Sequence, residues 1–312
     1  MTIVTPTHPS IKETATTLRE GGVVAFPTET VYGLGCDTFN EVGIQKVYNL
    51  KGRPKNNPTI AHIHDVSIVS QLTDDWDERC ELLANHFWPG PLTIIVPKNN
   101  KTPLSACGGF DTIAIRMPNH PVALSLLKEM GGPISAPSAN PSGYISPTTA
   151  IHVEQSFGGG ITVIDGGPCE CGIESTVLSL VNVPTILRPG SISLSMLTEL
   201  LPEIKISGSS LQTNSPGTAS THYAPHTKTT LVDSKLIDTI SNPDVIVISI
   251  EGIPRITKHA FVMPNCPIKY ASKLYAILRE ADAIGAKQII IESPPTTPKW
   301  NAVINRLTRA SR

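Results

Sequence analysis

Short apolar runs alternate with segments of helical spacing over residues 7 to 200. A capping-box pattern at Ser10-Ile11-Lys12-Glu13 predicts the start of a helix that ends near Gly21-Gly22, and the apolar run 23–27 then predicts a short buried strand. Further strands are predicted at 59–63, 92–96, 112–117, 161–164, 176–180 and 185–187, and further helices at 42–50, 77–87, 121–130 and 148–156. Such alternation favours an α/β or α+β domain with a twisted mixed sheet.

A change in composition follows at residues 205–228, which are rich in Ser, Thr, Gly and Pro and predict a linker. Beyond it, strands are predicted at 229–233, 245–250 and 288–291, and helices at 273–284 and 302–309. We therefore expect an α/β (α+β-like) protein of two domains. A larger domain with a mixed sheet would occupy 8–204, and a small Rossmann-like α/β domain would occupy 229–312 after the linker at 205–228.

Composition narrows the class of protein. The 312 residues carry a formal net charge of -1 at pH 7, so the chain has no global attraction for nucleic acid or an anionic membrane, and any basic surface must be local. No stretch reaches the roughly 20 apolar residues that span a bilayer, and the residues after Met1 lack the pattern of a signal peptide. We expect a protein of the cytoplasm without a membrane segment.

The six cysteines show no signature of a disulfide framework or a zinc site. None forms a CxxC pair, and Cys169 and Cys171 form a CxC without a matching second pair. Reduced thiols in a reducing compartment are the simpler interpretation. No metal site made by the side chains of the protein is predicted.

The common nucleotide-binding motifs are absent, since no GxGxxG follows a strand and no Gly-Lys dipeptide exists for a Walker A loop. Another device is Lys51-Gly52-Arg53-Pro54, which lies between a predicted helix and a predicted strand. In an extended segment Lys51 and Arg53 would project to the same face and converge on one polyanion. From these residues alone, the alternative is a pair of solvated loop cations.

Polar or cationic residues follow several other predicted strands. A turn with small polar residues and two glycines is predicted at 27–35, and Arg116 ends an apolar strand, where a buried charge needs a partner. The same pattern continues at 135–140 and at Ser175, Thr176 and Arg188. His62 lies within a predicted strand, where a lone histidine is more often a hydrogen-bonded structural residue than a ligand contact. Several polar strand ends suggest one shared ligand site, with ordinary structural turns as the alternative.

Seven motifs occur in a fixed order: PTETVYGLG, KGRP-x3-P-x3-HI, FWPGPLT, IAIRMP, SAPSANPSG, GGPCECGIESTV and LRPGSI. In this order the chain resembles the YrdC-type threonylcarbamoyl-AMP synthases over about residues 10 to 226. Ser215-Pro216-Gly217 and His222-Tyr223-Ala224-Pro225 resemble the linker of the two-domain branch of that family. The C-terminal residues resemble that branch more loosely, through apolar patterns near 274–291 and through Asn305-Arg306-Leu307.

The resemblance implies a YrdC-type twisted mixed sheet and a reaction. L-threonine, bicarbonate or CO2, and ATP with Mg²⁺ would give threonylcarbamoyl-adenylate and pyrophosphate. A tRNA-modifying transfer complex would then move the threonylcarbamoyl group onto an adenosine beside the anticodon, and the family is also linked to binding of double-stranded RNA. Chemistry at a phosphate depends on positioning and charge neutralisation more than on a covalent nucleophile.

The resemblance also implies a role for individual residues. Lys51 and Arg53 would neutralise phosphates as the catalytic residues, with Asn57 assisting. The threonine and carbamate pocket would comprise Thr30, His62, Arg116 and Thr176, and the nucleotide side would comprise Ser138, Asn140, Ser146, Arg188 and Tyr223. The spacer at 218–221 departs from the family, because it lacks the basic residues often found there. We hypothesise that the linker is a lid that protects the reactive adenylate from water.

Two other functions are compatible with parts of the sequence. A carbamoyltransferase of the hydrogenase-maturation type contains a related domain, but this chain lacks the CxxC pairs and the length for the other regions of such proteins. A non-catalytic module that binds double-stranded RNA is the second alternative. The net charge of -1 argues against strong duplex binding.

Overall fold

The computed structural model of the protein describes residues 2–207, 222–237, 239–240, 242–250 and 259–311. The chain forms two compact units. The first unit comprises Met1–Ser142, Pro147–Glu170 and Glu174–Thr218, and the second unit comprises Gly143–Ser146, Cys171–Ile173 and Ala219–Arg312. The predicted SPG motif, the spacer at 218–221 and most of the hypothesised lid lie outside the described residues.

The first unit contains a mixed sheet of eleven strands with helices around it. The strands are β1 (Thr2–Val4), β2 (Val24–Phe26), β3 (Gly33–Asp37), β4 (Ile60–His62), β5 (Leu92–Pro97), β6 (Thr112–Arg116), β7 (Ile134–Ser135), β8 (Thr162–Ile164), β9 (Thr176–Ser179), β10 (Thr185–Arg188) and β11 (Lys205–Ile206). Their order in the sheet is β1-β8-β2-β3-β7-β4-β6-β5-β9-β10-β11. The helices are α1 (His8–Arg19), α2 (Glu41–Lys51), α3 (Glu78–Phe87), α4 (Pro121–Met130), α5 (Ala150–Phe157) and α6 (Leu194–Thr198), with a 3-10 turn at Val66–Gln71.

The predicted N-cap of the first helix is corrected by three residues, from Ser10 to Thr7. The N-cap of α1 is Thr7, whose hydroxyl accepts from the Ser10 N–H, while the Ser10 hydroxyl accepts from the Thr7 N–H. Ser10 is therefore the N3 residue, the fourth of the capping box, instead of its first. The apolar face of α1 then packs against α4 in one buried cluster that includes Ala15, Leu18 and Leu126.

The predicted turn at 27–35 is partly wrong, because its second half begins strand β3. Two glycines suggested a turn, but β3 lies between β2 and β7 and pairs antiparallel with both. A Cβ at Gly35 would lie 2.7 Å from the Phe26 ring and 2.8 Å from the Ile134 side chain. Glycine is therefore needed at this position because the Phe26 and Ile134 side chains pack directly over the backbone of the strand.

The second unit has its own parallel sheet in the order β12-β15-β13-β14. Its strands are β12 (Thr229–Val232), β13 (Val245–Ser249), β14 (His259–Val262) and β15 (Gln288–Glu292), and its helices are α7 (Ser234–Ile237), α8 (Pro267–Ile284) and α9 (Asn301–Ala310), with a 3-10 turn at Pro298–Trp300. The predicted fold class, a mixed sheet with helices plus a small parallel α/β unit, is confirmed. Strand β14 and the first two turns of α8 were not predicted.

All six cysteines are free thiols in the structure, and four of them are buried. Across the described part of the chain, no helix combines the length and the apolar character needed to cross a bilayer.

Candidate active site

The KGRP segment forms the corner that follows helix α2. Lys51 is the last residue of α2, and Gly52 caps the helix with φ 58° and ψ 35°, the left-handed conformation that glycine adopts most readily. The predicted extended segment is therefore wrong. The Lys51 and Arg53 residues are only 3% and 8% exposed, so the alternative of two solvated loop cations is also wrong.

Lys51 holds the backbone of the SAPSANPSG motif. Its ammonium donates to the carbonyl oxygen of Ser138 at 2.6 Å and to that of Asn140, and its own carbonyl accepts from the Ser142 N–H at 2.7 Å. Burial, and then the nearby charge of Arg53, lower the pKa of Lys51 well below its ordinary value. Both causes disfavour the cation, so a bound anion would stabilise its charged form.

Arg53 is fixed by the residues that follow it. Its Nε donates to the Asn57 carbonyl at 3.0 Å, and Nη2 donates to Asn57 Oδ1 and to the Pro58 carbonyl, both at 2.7 Å. The hydroxyl of Tyr48 donates to the same Asn57 carbonyl at 2.8 Å. Asn57, predicted to assist at the phosphates, contacts Arg53 with both its backbone and its side chain.

Arg116, at the end of β6, has the buried partner that its position required. Its Nη2 lies 2.6 Å from Oε2 of Glu29, and Nη1 donates to the Thr30 hydroxyl at 2.9 Å. Its Nε donates to the Gly90 carbonyl at 3.3 Å. Glu29 was not predicted as a site residue. The carboxylate inside PTET and the cation inside IAIRMP could have suggested an ion pair between the two motifs.

His62 lies beside Arg116, because parallel pairing of β4 with β6 places the two residues in register. Its Nδ1 lies 3.1 Å from the Ile60 carbonyl, and its ring packs edge-to-face on Phe26 at 5.9 Å between centroids. Burial, and then the charge of Arg116, lower the pKa of His62 to about 3. The imidazole is therefore neutral at physiological pH.

Arg188 and Thr176 end and begin the antiparallel strands β10 and β9. The Arg188 guanidinium donates from Nε and Nη2 to the Ser175 carbonyl at 3.1 and 2.9 Å, and from Nη2 to the Ser175 hydroxyl at 3.0 Å. The hydroxyl of Thr176 donates to the Ile192 carbonyl at 2.7 Å. A Cβ at Gly190 would lie 2.4 Å from the Thr176 nitrogen, which explains the glycine of LRPGSI.

The predicted residues thus fall into several groups. In the first unit, Lys51 meets Ser138 and Asn140, Arg53 meets Asn57, and Arg116 meets Thr30 beside His62. Thr176 and Arg188 lie on paired strands, β9 and β10. Ser146 and Tyr223 belong to the second unit. There Ser146 is fully buried. The backbone of Tyr223 has φ 63°, and its ring stacks on the Tyr275 ring at 5.7 Å between centroids.

Family models cover nearly the whole chain. The model for Sua5, YciO and YrdC, described as Telomere recombination, matches residues 16–190. A second model, described as the C-terminal domain of threonylcarbamoyl-AMP synthase, matches residues 192–312.

Two similar proteins are named threonylcarbamoyl-AMP synthase. The protein from Pyrococcus abyssi is 38% identical over 311 residues, which cover 94% of this chain and 92% of the relative. The protein from Bacillus subtilis is 40% identical over 323 residues, which cover 97% and 93%.

Among solved structures, P. abyssi Sua5 complexed with L-threonine aligns with a TM-score of 0.94 and 36% identity, covering 100% of this chain and 98% of that one. HypF of T. kodakarensis aligns with a TM-score of 0.51 and 18% identity over 59% of this chain and 25% of its own length, a likeness of fold alone. The full-length similarity at 38–40% identity, together with the two family models, shows that this chain belongs to the threonylcarbamoyl-AMP synthase family.

Proposed function

We propose that this protein is an L-threonylcarbamoyladenylate synthase that makes threonylcarbamoyl-AMP and pyrophosphate from L-threonine, bicarbonate or CO2, and ATP. The observation that carries the proposal is the KGRP corner, where two buried cations lie close enough for the charge of Arg53 to lower the pKa of Lys51. A buried cluster of like charge is suited to a polyanion. It lies in a chain whose full-length relatives are named for this activity.

Lys51 and Arg53 are proposed to bind the ATP phosphates. The carbamate oxygen attacks the α-phosphate, the bond to the β-phosphate oxygen breaks, and pyrophosphate leaves with the bonding electrons. Fixed cations can stabilise the charge that develops in this step without rearranging during the reaction. Arg53, held by Asn57, is fixed in this sense, whereas Lys51 would exchange a carbonyl partner for a phosphate oxygen.

Arg116, Thr30, His62 and Thr176 are proposed to bind threonine and its carbamate. A guanidinium can bind a carboxylate through two parallel hydrogen bonds, and the Glu29 carboxylate restricts where Arg116 can lie. The neutral His62 adds no second positive charge beside it. Threonine differs from serine by one methyl group, and such a group changes the discrimination between two substrates by only about 1–3 kcal/mol.

Ser138, Asn140, Ser146, Arg188 and Tyr223 are proposed for the nucleotide side. Mg²⁺ is proposed to arrive with ATP, since it is commonly held by substrate phosphates, water and few carboxylates. Within the described residues, no three His, Cys, Asp or Glu side chains converge on a common point as a metal site would need.

The product is a mixed anhydride of a carbamate and a phosphate, so it needs a prompt acceptor. We propose that a tRNA-modifying transfer complex in the cytoplasm takes the threonylcarbamoyl group from it. Binding of double-stranded RNA is proposed only as a local surface property, because the net charge is -1.

A single assay separates this function from its alternatives. The protein is incubated with ATP, Mg²⁺, bicarbonate and one amino acid at a time, and pyrophosphate is measured. We expect release that depends on threonine and bicarbonate, with weaker release for serine. Release that depends instead on carbamoyl phosphate would support a hydrogenase-maturation type of carbamoyltransferase. No release, together with salt-sensitive RNA binding, would support a binding module and contradict the synthase.

A further inference from the structure

Helix α8 of the second unit presents one face to three short segments of that unit. Residues Ala271, Tyr275, Arg279 and Asp282 recur at intervals of three and four, the spacing of one helical face. The segments that they meet are Gly143–Ser146, Cys171–Ile173 and the chain around Tyr223. Two of these segments come from the SAPSANPSG and GGPCECGIESTV regions of the sequence.

Arg279 binds the backbone of the segment Gly143–Ser146. Its Nη2 donates to the Ile145 carbonyl at 2.5 Å, and its Nε reaches the Ser146 carbonyl at 3.4 Å. The centre of the guanidinium also lies 4.9 Å from the centroid of the Tyr144 ring, within the range of a cation–π contact. Burial lowers the pKa of Arg279 to about 10, so the side chain is still cationic at neutral pH.

Asp282, one turn further along α8, binds the same segment and the chain after the linker. It accepts from the Tyr144 hydroxyl at 2.9 Å, and from the backbone N–H groups of His226 at 3.1 Å and Thr227 at 2.8 Å. The rings of Tyr144 and His226 stack at 4.5 Å between centroids and 20° between planes. One carboxylate therefore joins residue 144 to residues 226 and 227.

The other end of the same helical face fits closely against Gly172. A Cβ on that residue would lie 2.5 Å from the Ala271 carbonyl oxygen and 2.5 Å from the Ser272 Cα. Between the two ends, Tyr275 stacks on Tyr223 at 5.7 Å. Helix α8 thus contacts both residues of the second unit that are proposed to line the nucleotide side, Tyr223 through Tyr275 and Ser146 through Arg279.

We infer that Arg279, Asp282 and Tyr144 are positioning residues that hold Ser146 in place for ATP. The inference rests on the proposed function of Ser146. The flanks of the segment are already fixed, because the Ser142 N–H donates to the Lys51 carbonyl at 2.7 Å and the Pro147 carbonyl accepts from the Tyr32 N–H at 2.9 Å. Between these flanks, Arg279 and Asp282 of α8 contact residues 144, 145 and 146, and the Ala224 N–H donates to the Gly143 carbonyl at 2.9 Å.

The test compares the purified full chain with the variants Arg279→Met, Arg279→Lys and Tyr144→Phe. The control is Lys287→Met, which removes an exposed ion pair of the second unit: the ammonium lies 2.6 Å from Asp244, and the two side chains are 78% and 48% exposed. The measurements are KM for ATP, KM for threonine, kcat, the Kd for ATP and the unfolding temperature. Lysine keeps the charge of Arg279 but cannot reach both carbonyls with one rigid fork.

We expect Arg279→Met to raise KM and Kd for ATP about tenfold, since misplacement of a supporting group by about 1 Å can cost up to about 100-fold. KM for threonine should stay within about twofold, and Arg279→Lys should recover part of the ATP affinity. Tyr144→Phe, which removes one hydroxyl that donates to Asp282, should raise KM for ATP about threefold and lower the unfolding temperature by only a few degrees. Lys287→Met should match the wild type.

Other outcomes would overturn the inference. An unchanged Kd for ATP in folded Arg279→Met would do so, as would equal losses toward ATP and threonine that follow a lower unfolding temperature. If Arg279→Met does not fold, an unchanged KM for ATP in Tyr144→Phe has the same meaning. A wild type that binds ATP but releases no threonine-dependent pyrophosphate would contradict the proposed function, and the Kd values would still decide the role of α8.

Discussion

Two buried cations hold backbone carbonyls of one continuous stretch of chain, and their surroundings differ. In the first unit, Lys51 binds the carbonyls of residues 138 and 140. In the second unit, Arg279 binds the carbonyls of residues 145 and 146. Both are nearly inaccessible to solvent, at 3% and 6% exposure. The same structural task is therefore carried out by different cations in different electrostatic settings.

The difference lies in the charges nearby. Next to Lys51 is a second cation, Arg53, and both burial and that charge lower the pKa of Lys51. Next to Arg279 are the Asp282 carboxylate and the face of the Tyr144 ring, and both favour its positive charge. The two neighbouring positive charges of the KGRP corner would be stabilised by a bound anion. At the α8 corner, the Asp282 carboxylate and the Tyr144 ring already stabilise the charge of Arg279. The first corner is therefore suited to catalysis and the second to positioning.

The largest effect should come from removing charge at the KGRP corner. We expect Lys51→Ala and Arg53→Ala each to lower kcat/KM by about 100- to 1,000-fold, the cost of losing one group that stabilises developing charge. Threonine-dependent pyrophosphate release measures it. Arg279→Met, by contrast, should lose mainly ATP affinity.

Lys287→Met, which removes an exposed cation, serves as the control for lost charge alone. Full activity in both Lys51→Ala and Arg53→Ala would remove the distinction between the two corners. It would leave Lys51 and Arg53 as structural residues of α2 and the turn that follows it.

The sequence predicted which residues matter at this corner better than it predicted their geometry. A glycine after a lysine at the end of a helical pattern is a recognised C-cap signal, so the end of α2 at Lys51 could have been found. The burial of Lys51 could not, because it depends on carbonyls 87 and 89 residues further along the chain. Local pattern carries no information about such distant partners.

The α8 face was missed for a related reason. The predicted helix at 273–284 contains Arg279 and Asp282, but charged residues on an amphipathic helix usually lie on its solvated face. Their inward position follows from contacts with residues 143–146, a segment inside the range 8–204 predicted for the larger domain but belonging to the second unit. Strand β3 was missed because its glycines were interpreted as turn residues. In the structure Gly33 and Gly35 pair with β2, and Gly35 leaves room for the Phe26 and Ile134 side chains.

The fit of α8 against Gly172 can be tested by comparing two glycines of the second unit. Gly172 and Gly285 have φ of 70° and 72°, but a Cβ at Gly285 would meet nothing within 4 Å. Both alanine variants bear the strain of a left-handed residue, and only Gly172→Ala adds a clash with the helix backbone. We expect Gly172→Ala to lose about 2 kcal/mol more unfolding free energy than Gly285→Ala, as for an overpacked core. Urea denaturation measures the unfolding free energy of each variant. Equal losses would show that the backbone of α8 does not pack closely enough against Gly172 to exclude a Cβ.

The smallest effect concerns the pH dependence of stability. Folding lowers the pKa of Lys51 below the 10.5 of an unperturbed lysine, so between the folded pKa and 10.5 the unfolded chain binds more protons than the folded chain. The contribution of Lys51 to unfolding free energy should therefore rise with pH in that window, by up to about 1.4 kcal/mol per unit. Burial lowers the pKa of Arg279 only to about 10, so its contribution should be flat below about pH 9.

Denaturation of the wild type, Lys51→Met and Arg279→Met from about pH 7 to about pH 10.5 covers the Lys51 window and gives both contributions as differences, in which the titration of tyrosines and cysteines cancels. A rising difference for Lys51, with a flat one for Arg279 below about pH 9, would confirm that the first corner disfavours its cation and the second does not. Saturation with pyrophosphate should then flatten the Lys51 difference, because a bound anion raises the pKa of the lysine beside it. A Lys51 difference that is already flat without an anion would mean that the corner is compensated, and the proposed phosphate site would lose its electrostatic basis.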